Sequence, residues 1–263
     1  MLLSRPDPEE ALQQGSDTHV TGLIMAGGRS ERMRLTFGPK HKALVPVLGV
    51  PMLEWNICAL LGRGIRRIVV ASSAAETEIE RYVRTRGCAI VASAGGTITS
   101  LVEAQPLGTI GAVRELQGVG AQVLVTNVDN LTTLNWTEMV AHHQRTRVAM
   151  TIAAHWQAFR LPFGELEISG ENVLRYHEKP VKTVLICSGA YVLNSKVLEA
   201  IPQGHRLDVP ELVEAVLGCG QSIGAFSHDC PWIDVNDAAS VADAERLVAA
   251  NLSAFGGWHA SPG

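Results

Sequence analysis

The sequence predicts an α/β fold: a Rossmann-like sheet, mixed but mostly parallel and flanked by helices, with a small antiparallel lobe added late in the chain. Three observations predict it. Short apolar runs alternate with segments of helical spacing through the first half, which argues for parallel strands covered on both faces. Two of those runs end in Gly27-Gly28 and in Asp129, at strand ends, where such sheets place their ligands. Beyond residue 160 the helices give way to closely spaced strands and turns.

The elements follow in order. Residues 1–19 are polar, with Pro6, Pro8 and Glu9-Glu10, and read as a loose extension with a short helix at 8–14. The domain is expected over 20–252. It opens on the run from Thr21 to Ala26, a buried strand entering a glycine loop. Residues 52–61 have helical spacing, 67–71 read as a strand, 76–86 as a charged helix and 89–92 as a third short strand. Residues 111–116 read as helix, 122–128 (QVLVTNV) as a buried strand, 136–145 as helix and 149–155 as strand. Strands with turns are expected at 163–168, 173–177 and 184–193, helices at 208–217 and 241–251, and a loose tail over 253–263. Trp55 and Trp136 suit the core, and His142-His143 a surface helix face.

Composition narrows the function. A hydrophobic fraction of 46% over 263 residues supports one sizeable α/β domain. The net charge of -4 argues against a nucleic-acid surface, so an anionic ligand must be met by a few placed cations. Five scattered cysteines without a CxxC pair indicate neither a disulfide framework nor zinc, and fit a reducing cytoplasm. No signal-peptide pattern and no membrane-spanning apolar run is visible. A homo-oligomer is compatible with all of this.

Chemistry concentrates after the first strand. Glycines there let the backbone approach a ligand and aim amides at it. Arg29, Arg32, Arg34, Lys40 and Lys42 place five cations within fourteen residues, a concentration that suits a triphosphate. The plain alternative is a glycine turn followed by a solvated basic loop. Asp129 and Asp234 are carboxylates at the ends of apolar runs and can serve Mg²⁺, which takes one or two carboxylates plus substrate phosphates. Each is equally readable as a turn former or helix cap.

The stretch Ala26-Gly27-Gly28-Arg29-Ser30-Glu31-Arg32, continuing to Lys42, Leu44 and Pro46, resembles the signature of the sugar-1-phosphate nucleotidyltransferases. Ser30 stands where that family has glycine, and His41 where proline precedes the signature lysine. Further matches follow in order: Pro106-Leu-Gly108-Thr109 with the nucleotide-contacting loop, Thr126-Asn-Val-Asp129 with the metal-binding strand end, Glu178-Lys179-Pro180 with the sugar-phosphate motif, Ser188-Gly189-Ala-Tyr191 with the sugar-side strand, and Trp232-Ile-Asp234 with the second metal-binding stretch. Cys187 and Asn236 depart from the family pattern.

The resemblance implies transfer of a nucleotide from a nucleoside triphosphate to a sugar 1-phosphate, with Mg²⁺ on Asp129 and Asp234. It assigns Arg32 and Lys42 to the triphosphate, and Ala26, Gly27, Gly28, Arg29, Ser30, Pro106, Gly108 and Thr109 to the nucleotide. Glu178, Lys179, Ser188 and Gly189 fall to the sugar phosphate. Relatives that use pyrimidine triphosphates place glutamine three residues before the loop proline, where this chain has Glu103. A carboxylate accepts from both N1–H and the 2-amino group of guanine and cannot donate to uracil, so Glu103 points to GTP. Gln105 facing the base would instead favour a pyrimidine. Three rivals remain: transfer to a cofactor phosphate as in molybdopterin guanylyltransferases, a non-catalytic binding subunit, and a glycosyltransferase, which would usually carry a DxD motif.

Overall fold

A computed structural model of the chain describes residues 20–28, 33, 37–38, 40–116, 120–199, 201 and 203–256. The expected helix at 8–14 lies outside them. In chain order the regular elements are β1 (Val20–Met25), β2 (Pro46–Val47), β3 (Val50–Pro51), α1 (Met52–Gly62), β4 (Arg67–Ser73), α2 (Thr77–Tyr82), α3 (Cys88–Ser93) and β5 (Thr97–Glu103). They continue with β6 (Gln122–Asn127), β7 (Asn130–Thr132), α4 (Trp136–Thr146), β8 (Met150–Arg160), β9 (Glu165–Ser169), β10 (Asn172–His177) and β11 (Val181–Asn194). The last are α5 (Ser195–Glu199), α6 (Val209–Gly218), β12 (Ile223–Ser227), β13 (Trp232–Asp234) and α7 (Ala238–Ala250).

Seven strands form the central sheet in the order β12-β8-β11-β6-β1-β4-β5. All its pairings are parallel except the two made by β11, which runs antiparallel between β6 and β8. The expected mixed, mostly parallel sheet is therefore present. Alternation along the strands builds a core on each face. Ile24, Val70 and Leu124 meet the helices α1 and α4, while Leu23, Val69 and Val125 meet Ile110, Leu198 and Leu212. The register aligns Met25 with Ala71 and with Asn127, and Val128 N–H donates to the Met25 carbonyl at 3.0 Å. The exits of β1 and β6 are thus neighbours, and Gly27 and Asp129 leave the sheet on the same side.

Helix ends follow local chemistry. Asn135 caps α4, accepting from the Glu138 amide, and Arg147 ends it in a left-handed conformation at φ 53°. Asp208 and Glu211 form a capping box at α6, behind which Pro210 fits the first turn.

Several expectations need correction. Residues 89–92 are helical, not a strand: they lie in α3, which continues from α2 through a π-helical turn at Val83–Gly87. A four-residue apolar run suits either period, and here Ile90 and Val91 complete a helix face against the sheet. The third parallel strand is β5, an edge strand whose mostly uncovered side chains obscure its alternation. His143 is buried rather than superficial, its ring bonding the Thr151 hydroxyl at 2.8 Å and the Asn194 side-chain oxygen at 3.0 Å. The ordered body also runs past 252. Leu252–Phe255 form a 3-10 turn, and Phe255 is buried edge-on against Trp55 with ring centroids 5.7 Å apart.

Phe255 closes a third core with Trp55 and Val248. Phe255→Ala should therefore destabilise the protein by about 3–5 kcal/mol, read as a lowered midpoint in urea denaturation with an unchanged slope. A change within ~0.5 kcal/mol would return this segment to the loose tail.

Candidate active site

A cavity of about 450 Å³ opens at the carboxyl ends of β1, β5 and β6. Gly27 and Gly28 line it from the exit of β1, Lys42 and Asp129 from below, and Glu103, Pro106, Gly108 and Thr109 from the end of β5 and the loop that follows. Ala26 is buried beneath, its amide bonded to the Ala71 carbonyl at 2.7 Å. Arg29, Ser30 and Arg32 lie outside the described residues.

Lys42 begins a 3-10 turn capped by His41. His41 Nδ1 accepts from the Ala43 amide at 3.1 Å, and its Nε2 lies 2.7 Å from the Gly28 carbonyl. One neutral tautomer, with the proton on Nε2, satisfies both. Histidine in the position of the expected proline therefore fastens the lysine turn to the glycine loop. Lys42 Nζ forms an ion pair with the Asp129 carboxylate, both side chains being largely screened from solvent.

Glu103 ends β5 and is 4% exposed. Its Oε2 accepts from the Leu107 amide at 3.1 Å, whereas Oε1 is buried and has no partner among the described residues. A Cβ on Gly27 would stand 3.2 Å from both oxygens, so glycine at that position makes room for the carboxylate. Burial pushes the Glu103 carboxyl above its ordinary value, partly offset by the Leu107 hydrogen bond. Gln105 is exposed, donates to the Gly204 carbonyl at 3.3 Å and does not line the cavity.

Asp234 reaches Asp129 through the β13–β7 pair. It stands opposite Asn130, and the Val235 amide donates to the Asp129 carbonyl at 2.9 Å. The Asp234 carboxylate is exposed and accepts from the side-chain Nδ2 of Asn236. Asp129, in the turn between β6 and β7, and Asp234, at the end of β13, are thereby neighbours in the backbone. They are hard oxygen donors of the kind Mg²⁺ takes, and no group of three or more metal-ligating side chains occurs among the described residues.

Ser188 differs from the expectation that it faces a sugar phosphate. It is 2% exposed, and its hydroxyl bonds His155 Nδ1 at 2.9 Å and His228 Nε2 at 2.8 Å. Its carbonyl accepts from Asn130 Nδ2 and from Trp232 Nε1, each at 2.8 Å. Ser188 therefore braces β7 and β13 rather than presenting itself to a ligand. Next to it Gly189 has φ +69°, and a Cβ there would lie 2.1 Å from Asn130 Nδ2, so a side chain has no room. Glu178 and Lys179 sit between β10 and β11, exposed and away from the cavity lining, with an ion pair at 3.8 Å. Glu178 also accepts from the Tyr176 hydroxyl at 2.8 Å.

Sequence reasoning missed Asn127, Arg206 and Asp208, which complete the cavity wall. Asp208 accepts from the Thr109 amide at 2.8 Å and from Arg206 at 2.7 Å, strapping the Gly108 loop to the start of α6. The amide bond, and then Arg206, hold its carboxyl below the ordinary value. Its D-x-x-E spacing with Glu211 was a readable capping signal, whereas Arg206 had none.

The nucleotidyl transferase family model matches residues 21–251. The chain belongs to this family. A mannose-1-phosphate guanyltransferase from Eremothecium gossypii is 29% identical over 82% of this chain and 61% of its own length. A UTP–glucose-1-phosphate uridylyltransferase from Synechocystis is 27% identical over 82% of this chain and 60% of its own. The chain thus spans about three-fifths of the length of these curated relatives. Among solved structures, HddC from Yersinia pseudotuberculosis complexed with GMP-PN shares the fold, with TM-score 0.66 at 21% identity over 86% of this chain and 98% of that one. The nucleotidyl transferase sheet accounts for the meeting of Gly27, Lys42 and Asp129 in one cavity.

Glu103 carries a pH signature. The folded state holds its proton to higher pH than the unfolded chain, so this group lowers stability as pH rises from its ordinary 4.5 through the raised value. Glu103→Gln keeps an acceptor for the Leu107 amide and removes the buried charge. The variant should melt above wild type at pH 8, with the gain shrinking toward pH 4. A pH-independent difference in melting temperature would contradict the assignment.

Proposed function

We propose that this protein is a sugar-1-phosphate nucleotidyltransferase that joins a nucleoside triphosphate, GTP by preference, to a sugar 1-phosphate and releases pyrophosphate and an NDP-sugar. The observation that carries the proposal is the meeting of Lys42 and Asp129 in the cavity beneath Gly27-Gly28. Nucleophile activation by serine, cysteine or a general base is unnecessary, because a sugar-phosphate oxygen is already anionic. That oxygen attacks the α-phosphorus of the triphosphate as the bond to the β-bridging oxygen breaks, so the protein's work is in-line positioning and neutralisation of charge.

The Gly27-Gly28 backbone can pass close to the phosphates, and Lys42 supplies a cation where charge builds at the α-phosphorus. Arg32 serves the departing β- and γ-phosphates in this scheme. Glu178 and Lys179 take the sugar phosphate in this scheme, and Gly189 lets the chain pass close to the sugar. Asp129 and Asp234 would hold Mg²⁺, which supplies Lewis-acid neutralisation of the phosphates when bound. Five free cysteines support a reducing, cytoplasmic setting.

For the base, Glu103 is the favoured reader over Gln105, because it lines the cavity with one oxygen that has no partner among the described residues, while Gln105 lies outside the lining. Guanine offers two adjacent donors to a carboxylate. A pyrimidine triphosphate is the second reading, because one curated relative is a uridylyltransferase.

Pyrophosphate release measured over the nucleoside triphosphates crossed with a panel of sugar 1-phosphates should give its highest kcat/KM with GTP. Glu103→Gln should lose that preference, whereas a wild type that prefers UTP or dTTP selects the second reading. Asp129→Asn and Asp234→Asn should each lower kcat by about 10²-fold or more with magnesium present and leave the circular dichroism spectrum unchanged. Near wild-type turnover in either variant would remove that residue from the metal clamp.

A further inference from the structure

A second cavity, of about 650 Å³, lies at the opposite end of the sheet from the catalytic one and is the larger of the two. Ala121 precedes β6, Ala149 precedes β8 and Gln221 precedes β12, while Asn194 ends the antiparallel β11, so all four meet at one edge of the sheet. β6 runs between the two cavities, starting beside one and ending beside the other. The volume falls within the ~300–1,000 Å³ common for small-molecule sites. No step of the nucleotide reaction uses this space.

Its floor is apolar. Leu212 and Val216 of α6 line it together with Ile201, and all three belong to the core on that face of the sheet. The polar backbone around it is already paired. Ser195 N–H donates to the Ala121 carbonyl at 3.0 Å, Asn194 N–H to the Ala149 carbonyl at 3.1 Å, and Gln221 N–H to the Val216 carbonyl at 3.2 Å. The Asn194 side chain is occupied as well, donating to the Val148 carbonyl at 2.8 Å and bonding His143 through its oxygen at 3.0 Å. The walls are therefore formed before any ligand arrives, which lowers the cost of binding one.

The charges here are of one sign. Arg147 and Lys196 both line the cavity and are exposed. No described lining residue is a carboxylate, although Asp and Glu outnumber Lys and Arg by 26 to 22 in the chain. Neither cation makes an ion pair among the described residues. In the catalytic cavity Lys42 and Arg206 are each matched by a carboxylate, whereas an anion entering this one has no carboxylate to displace. Arg147 also stands at φ 53°, where glycine or asparagine ends a helix at least cost. Helix-end electrostatics account for a cation at the carboxyl end of α4, but not for Lys196, the second residue of α5.

An apolar floor beside two such cations defines the ligand's chemistry. A nucleotide or sugar phosphate brings hydroxyls that the floor cannot satisfy, and an uncharged hydrocarbon leaves the cations unmatched. We propose that this cavity binds a small amphipathic anion, an aliphatic or aromatic body bearing one carboxylate or phosphate. Arg147 and Lys196 hold its head, and Leu212, Val216 and Ile201 receive its body.

Isothermal titration calorimetry of the full chain with octanoate and with octyl phosphate should give saturable one-to-one binding, and the tighter of the two identifies the head group. Octanol, which lacks the charge, should bind about tenfold more weakly or not at all. Arg147→Ala and Lys196→Ala, both at exposed side chains, should together weaken the anions by about tenfold and leave octanol unchanged. Lys42→Ala should bind them as wild type does, which separates this cavity from the catalytic one. Amide hydrogen exchange locates the site in the unmutated protein: the tighter anion should slow exchange in 194–198 and 212–219. The proposal is overturned by an absence of saturable binding, by octanol binding as tightly as the anions, or by anion affinity unmoved in the double variant. Loss of binding in Lys42→Ala, or protection confined to the catalytic loops, would overturn it as well.

Discussion

The arrangement of this site depends on one buried serine. Ser188 gives its carbonyl to Asn130 and Trp232 and its hydroxyl to His155 and His228. The first pair belongs to β7 and β13, the strands that bring Asp129 and Asp234 together. The second pair belongs to β8 and the segment after β12. Each of these polar groups would lose solvation on burial without a partner, so the cluster is stable only when its members converge. A short two-stranded pairing such as β7–β13 has little stability alone, and the serine node compensates for that.

Electrostatics in the cavity follow the same economy of parts. The chain as a whole is acidic, so it offers no broad positive field to an anionic ligand. Lys42 and Arg206 are instead positioned individually, each against a carboxylate that also anchors a loop: Asp129 after β6 and Asp208 at the head of α6. Cations held in this way are preorganised before any anion arrives, which is how a site stabilises charge without first reorganising. Glu103 is the converse case, a carboxyl kept in a poorly solvated wall where one oxygen has no hydrogen-bond partner among the described residues.

Much of this was legible in the residues. The exits of β1 and β6 could be placed because long apolar runs end abruptly in Gly27-Gly28 and Asp129. The crossing parallel sheet brings Gly27-Gly28, Lys42, the loop from Pro106 to Thr109 and Asp129 to one cavity, while Glu178-Lys179 and Asp234 lie outside its lining. What was not legible depended on long-range contact. β5 is an edge strand, and without two buried faces its pattern is faint. The role of His41 requires the Gly28 carbonyl, thirteen residues away. Ser188 looked like a ligand-facing hydroxyl because the histidines that consume it are 33 and 40 residues distant. Arg206 lies in a loop with no periodic or motif signal, and only the strap between Thr109 and Asp208 brings it to the wall.

The order of strands also separates two kinds of choice. Glu103 hangs from β5 at one flank of the sheet, while Glu178 and Lys179 hang from the β10–β11 connection toward the other, with β6, β1 and β4 between. Among the described residues the two groups share no hydrogen-bond partner, and substitutions at distant sites without common partners combine nearly additively. The fold therefore works as a modular scaffold in which either flank can drift without disturbing the other. Evolution or design can exchange the loop after β5 and the segment before β11 independently, as two replaceable cassettes mounted on a common frame.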